Sequence, residues 1–147
     1  MNPDKLREEL KRDEGFSRKP YKDTMGYWTI GYGHCTGNEL PTLIARGISE
    51  EFANELLEGD IQVAIEQTEL LCLKHSIDFD KLSDARQRVL VNMCFNLGAV
   101  GLSKFKRMWY CIAYKDWNGA AEEMLESSWS KQVKGRAARL ATMMKEG

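Results

Sequence analysis

The chain of 147 residues is long enough for one folding unit with a real core and too short for two large independent domains. With 43% hydrophobic and 29% charged residues it fits neither a disordered chain nor a membrane protein, and a net charge of -1 supplies no global field for nucleic acid. Locally the charge is uneven: residues 46–69 carry seven acids against Arg46 alone, whereas lysine and arginine dominate the last third. An anionic partner would be met there, although two solvated faces of opposite sign fit the same pattern.

Cys35, Cys72, Cys94 and Cys111 follow no regular spacing, and three of them lie in apolar helical runs, which reads as thiols in a reducing compartment. The charged, amphipathic start offers no apolar stretch for a signal peptide or anchor, so synthesis and residence in the cytoplasm are expected.

In chain order, Asn2 and Pro3 suit the cap and first turn of a helix in which Leu6, Leu10 and Glu14 fall four apart on one face, and Gly15 stops it. From Gly26 to His34 apolar and small residues alternate, predicting a hairpin or small sheet. Trp28, Ile30 and Tyr32 would share one face; Thr29, Gly31 and Gly33 would leave the other almost bare. Ser49 caps a helix over 50–71 with a stripe of Phe52, Leu56, Ile61, Ala64 and Ile65, on whose half-buried side Asp60 lies. Ser83 caps a helix that is apolar nearly all round and closes at Gly98. Further helices are predicted near 102–114, 116–127 and 136–146, with Trp109, Trp117 and Trp129 as core anchors. The fold class is α+β, mainly helical. One domain spans 1–147, with a sheet-bearing lobe near 13–60, a connecting helix, and a helical lobe near 72–147 packed with the helix over 3–13. A cleft between the lobes is the natural ligand site.

Glu14 ends a helix on its apolar side, and both desolvation and the helix dipole favour the neutral acid there, as a proton donor requires. Asp23 sits at a polar turn beside Lys22 and Thr24 and should stay ionised. Two carboxyls in contrasting surroundings suit glycoside hydrolysis, with the Thr29 hydroxyl holding a water and the glycines leaving room for a sugar ring. The same spacing also fits a helix-end carboxylate, an Asx-turn aspartate and an ordinary strand threonine.

Glu14, Asp23 and Thr29, set within "DEG", "YKDT" and "GYWTIGYGH", closely resemble the active-site segment of phage-type lysozymes. The resemblance runs on through "GISEEFANELLEGD", "LSDARQRVLVNMCFNLG", "KDWNGAAEEM" and "SWSKQVKGRAARL". It implies a two-lobed lysozyme fold and an endolysin that cleaves the β-1,4 bond between N-acetylmuramic acid and N-acetylglucosamine in peptidoglycan. By the same resemblance Glu14 is the general acid, while Asp23 and Thr29 position and activate the attacking water, with inversion at the anomeric carbon. Arg136 falls where the family has a cleft arginine facing the catalytic glutamate, or is one more basic surface residue. His34 and Asp60 match a structural ion pair of the family; a satisfied hairpin-end histidine is the alternative. Phe95 matches the rear of the family's cleft and is expected to contact sugar or to be plain core, and Gly33 and Cys35 are weaker substrate-lining candidates. The loop from Cys35 to Ile48 is shorter than the family's, and the chain stops where a family member adds a further helix.

The resemblance further implies peptidoglycan as partner, no cofactor, no stable membrane association, a monomer, and release from the host cytoplasm through a separately encoded pore, a holin. No phosphate-cradling motif or basic-aromatic strand pattern points to nucleic acid. The pairs His34–Cys35 and Cys72–His75 fit no standard zinc spacing. A non-catalytic wall-binding or scaffold protein of the same fold is the rival function.

Overall fold

The structure is a computed structural model that describes all 147 residues. Helix α1 (Pro3–Glu14) begins on proline, whose missing N–H costs nothing in a first turn. It buries Leu6 and Leu10, and ends where the Gly15 N–H bonds the Lys11 carbonyl at 2.9 Å. Three strands follow, β1 (Ser17–Lys22), β2 (Trp28–Gly31) and β3 (His34–Gly37), forming an antiparallel sheet in the order β1-β2-β3. Tyr21 pairs with Thr29 and Thr29 in turn with Cys35. The β1–β2 register shifts between Ser17 and Tyr21, a stretch that contains Pro20, which has no N–H to give the ladder.

Helix α2 (Glu50–Lys74) is capped by Ser49, whose hydroxyl accepts the Phe52 N–H at 3.1 Å. Its buried face is Ala53, Leu57, Ile61, Ala64, Thr68, Leu71 and Cys72, while Phe52, Leu56 and Ile65 are only half-buried. The predicted stripe holds at Ile61 and Ala64, whereas in the first turns Ala53 and Leu57 are buried in place of Phe52 and Leu56. There Ala53 meets Gly31 of β2: a β-carbon on Gly31 would stand 3.2 Å from that of Ala53 and 3.4 Å from Ile48 Cδ1. Two small residues let the helix approach the sheet, so the space expected to be bare at Gly31 is filled by protein.

A 3-10 turn (Phe79–Lys81) leads to α3 (Asp84–Ser103), capped by Ser83 at 3.2 Å from the Arg86 N–H. Every residue from Gln87 to Cys94 is buried, as a central helix requires. Gly98 interrupts α3 at φ 74°, a conformation that other L-residues rarely adopt. Then come α4 (Lys106–Ala113), α5 (Trp117–Glu126), α6 (Ser128–Val133) and α7 (Gly135–Glu146). Two expected helices are thus shorter, and α6 is a separate turn cut off by Ser127, whose hydroxyl caps it through the Ser130 N–H. Trp109 and Trp129 are buried, their indole N–H groups bonding the Leu102 carbonyl at 3.0 Å and Asn96 Oδ1 at 2.7 Å. Trp117, expected in the core, is half-buried, with the Arg86 guanidinium 3.8 Å over its ring.

The chain divides into an N-terminal unit, Asp4–Val63, and a C-terminal unit, Met1–Pro3 with Ala64–Gly147. The first helix, grouped with the C-terminal lobe on sequence grounds, falls from Asp4 onward in the N-terminal unit. On its polar side Arg7 bonds Glu58 of α2 and the Lys11 ammonium lies 5.1 Å over the Tyr32 ring, both within that unit. No helix is long and apolar enough to cross a membrane.

Candidate active site

The N-terminal unit gathers Glu14, Asp23, Thr29, Gly33, His34, Cys35 and Asp60. Glu14 is the last residue of α1, half-buried, on the same side as Leu6 and Leu10. Its carboxylate occupies the place a side chain at residue 33 would take: a β-carbon on Gly33 would stand 2.6 Å from Glu14 Oε2 and 3.0 Å from Cδ. Gly33 also has φ +73°, so both its backbone and its missing side chain serve the acid. The room it leaves, expected for a sugar ring, is held by Glu14.

The turn that carries Gly33 is anchored by the residue before it. Tyr32 is buried, its hydroxyl donates to Glu50 Oε1 at 3.0 Å, and the Phe16 ring lies 5.3 Å away. Burial and then Glu50 hold the Tyr32 phenol above its ordinary pKa, so it stays a donor.

Asp23 closes the β1–β2 turn, its Oδ1 accepting the N–H groups of Met25 and Tyr27, each at 2.9 Å. This is an Asx turn, and it aims the carboxylate rather than merely exposing it. Any chemistry at Asp23 belongs to the second oxygen. Thr29 is 5% exposed, and its hydroxyl donates to the Tyr27 carbonyl at 3.3 Å. That bond is long, and a threonine hydroxyl keeps lone pairs for a water. Cys35, a free and exposed thiol, is the ladder partner of Thr29 on β3.

Tyr21, on the other side of Thr29, was not singled out from the sequence. Its phenol is pushed up by burial and then by the negative charge of Glu14 and of Asp23, so it lies within the field of both carboxylates while its residue remains 41% exposed. Part of the signal was available: Tyr21 lies on the strand that ends one residue before Asp23 and pairs with Thr29.

His34 Nδ1 and Asp60 Oδ2 are 2.7 Å apart, tying β3 to α2 directly beside Gly33. The bond to Asp60 raises the His34 pKa, against a smaller opposing effect of burial. In the C-terminal unit, Arg136 is 7% exposed at the start of α7 and its Nε donates to Asn92 Oδ1 at 2.9 Å. Arg136 is therefore not one more basic surface residue. Phe95 is half-buried on α3, just past the fully buried run.

The geometry can be set beside known proteins. The sequence model of the phage lysozyme family, "Phage lysozyme", matches residues 11–145. A probable T4-type lysozyme 2 from Dictyostelium discoideum is 33% identical, the match covering 97% of this chain and 94% of that protein. The pre-baseplate central spike protein Gp5 of Enterobacteria phage T4 is 29% identical over 97% of this chain but only 28% of its own length. An endolysin of Bacillus phage B103 is 32% identical over 83% of this chain and 43% of that protein.

Proposed function

The chain belongs to the phage lysozyme family, and we propose on that premise that it is an endolysin hydrolysing the β-1,4 bond between N-acetylmuramic acid and N-acetylglucosamine of peptidoglycan, with inversion. The observation that carries this reading is the seat of the Glu14 carboxylate over the bare Gly33 backbone, in the same unit as Asp23 and Thr29. An acid wedged there is fixed in direction, and positioning is a large part of what general acid catalysis demands.

In the proposed reaction Glu14 protonates the glycosidic oxygen as its bond to the anomeric carbon breaks. Asp23, held by its turn, takes a proton from a water steadied by Thr29, and the water oxygen bonds to the opposite face of the anomeric carbon. The products are two shorter glycan ends, with Glu14 ionised and Asp23 protonated until solvent restores both. Gly33 and Cys35 border the acid and Thr29, and Phe95 and Arg136 are proposed to serve substrate and acid respectively. The His34–Asp60 pair holds the β3 end of the site and takes no part in proton transfer. The enzyme would be made in the host cytoplasm and meet the wall at lysis, after a holin opens the membrane.

The test is digestion of purified sacculi, with the new anomeric configuration read by NMR before mutarotation. Release of α-configured reducing ends is the expected result. Retention would remove the inverting mechanism, and wall binding without released reducing sugar would favour a non-catalytic scaffold.

A further inference from the structure

Helix α4 presents two unlike sides. Met108, Trp109 and Ile112 are buried and account for its packing. On the other side Tyr110 and Tyr114, four residues apart, are 65% and 71% exposed, with ring centroids 4.6 Å apart and planes inclined by 39°. Isolated exposed apolar residues are ordinary, whereas two large, mostly exposed rings packed on each other form a patch that the core does not require.

The chain leading up to and through this pair is rich in cations. Residues 98–115 contain Lys104, Lys106, Arg107 and Lys115 and no aspartate or glutamate, and all four cations are exposed. Lys106 precedes Tyr110 by four residues and so shares its face. Acids begin at Asp116, and Asp116, Glu123 and Glu122 bear on Cys111, whose thiol is pushed up by burial first and then by Asp116 and Glu123. Cys111 is one residue on from Tyr110, about 100° round the helix.

We propose that this face of α4, centred on Tyr110 and Tyr114 with Lys106 and Arg107 beside them, is a docking surface for the anionic glycan strands of the cell wall. It is distinct from the hydrolytic residues of the N-terminal unit and rests on the reading of the chain as a peptidoglycan hydrolase. Tyrosine rings offer flat apolar faces to the C–H faces of pyranose rings, at a small entropy cost and with a hydroxyl left for water or sugar. The cations match the carboxylates carried by the peptide stems, which raises the rate of encounter and makes the contact salt-sensitive. Such a surface would keep the enzyme on an insoluble polymer between cleavages.

The experiment measures sedimentation of Glu14→Gln protein with purified sacculi, so that binding is read without digestion. Adding Tyr110→Ala and Tyr114→Ala should weaken binding about tenfold, from two lost ring contacts. The Tyr110→Phe, Tyr114→Phe pair, which keeps the rings, should restore it to within about twofold. Lys106→Gln with Arg107→Gln should weaken binding at low salt and change little at high salt. Equal binding by the alanine and parent proteins, or loss shared equally by the phenylalanine pair, would overturn the proposal. Duplex DNA as parallel ligand gives a further decision: loss of DNA binding with sacculus binding intact would assign the face to nucleic acid and overturn it. Reducing-end release by the unaltered protein keeps the two readings apart. No release overturns the hydrolase reading and this proposal with it, whereas release with unchanged alanine binding overturns this proposal alone.

Discussion

Glu14 and Gly33 are interlocked: the carboxylate oxygen of one lies 2.6 Å from where the other's β-carbon would be, closer than any real side chain tolerates. Gly33→Ala must therefore displace the acid, and it also forces alanine into φ +73° at a cost of about 1–2 kcal/mol. Activity on sacculi should fall about 100-fold, the usual consequence of misplacing a catalytic group by an ångström. Gly31→Ala is the comparison, because its added carbon meets Ala53 and Ile48 instead of the acid. Thermal melts and turnover measured together should show both variants destabilised but only Gly33→Ala losing activity beyond its loss of folded protein. Equal specific activity of the two folded variants would refute the interlock.

Asp23 has one oxygen that holds its turn and a second assigned to the chemistry, and two substitutions separate the two roles. Asparagine keeps Oδ1 for the Met25 and Tyr27 N–H groups, so Asp23→Asn should melt close to the parent while turnover falls at least about 100-fold, a typical loss for a general base. Alanine removes the acceptor as well and should cost a further 1–3 kcal/mol or so of stability. Glu14→Gln should behave like Asp23→Asn, folded and inactive. Should Asp23→Asn clear walls at the parental rate, the aspartate would be a turn residue and nothing more.

Tyr21 is the residue to test as a positioning group. Its phenol feels the charge of both carboxylates and is held neutral, so it remains a hydrogen-bond donor beside them. Tyr21→Phe keeps the ring and removes the donor. We expect kcat to fall about tenfold, the worth of one hydrogen bond to a charged group, with KM little changed. The pH profile of kcat should shift as well, because removing a donor alters the proton affinity of the acceptor. A profile superimposable on the parent's, with unchanged kcat, would leave Tyr21 as scaffolding.

The helix ends were legible because their signals are local: Pro3, Ser49, Ser83 and Gly98 act through their own backbone neighbours. The position of Glu14 on the apolar side of α1 followed from the four-residue spacing alone. What could not be read was set by contacts distant in sequence. Gly31 was taken for ligand space because nothing local announces Ala53, which is buried against it where Phe52 had been expected to face inward. Gly33 was correctly marked as bare, yet its occupant is Glu14, nineteen positions earlier in the chain. Tyr21 escaped because a tyrosine in a strand looks like any other until the field around it is known.

The two histidines pull the pH dependence of stability in opposite directions. His34 bonds Asp60 and has a raised pKa, so its contribution is complete below the unfolded value of 6.5 and is lost as pH climbs through the higher folded value. His75 is stacked on Trp109 with centroids 5.0 Å apart, and burial first and Lys74 second lower its pKa. Its contribution is present above 6.5 and is lost as pH falls through the lower folded value. Melting temperature against pH for Asp60→Asn should lie below the parent most clearly on the acid side of neutrality, with the gap closing toward alkaline pH. For His75→Gln, which cannot take up a proton, the loss relative to the parent should be greatest above neutrality and shrink as pH falls. Parallel curves for either variant would mean that the histidine in question does not titrate with folding, and NMR titration of each ring would identify which.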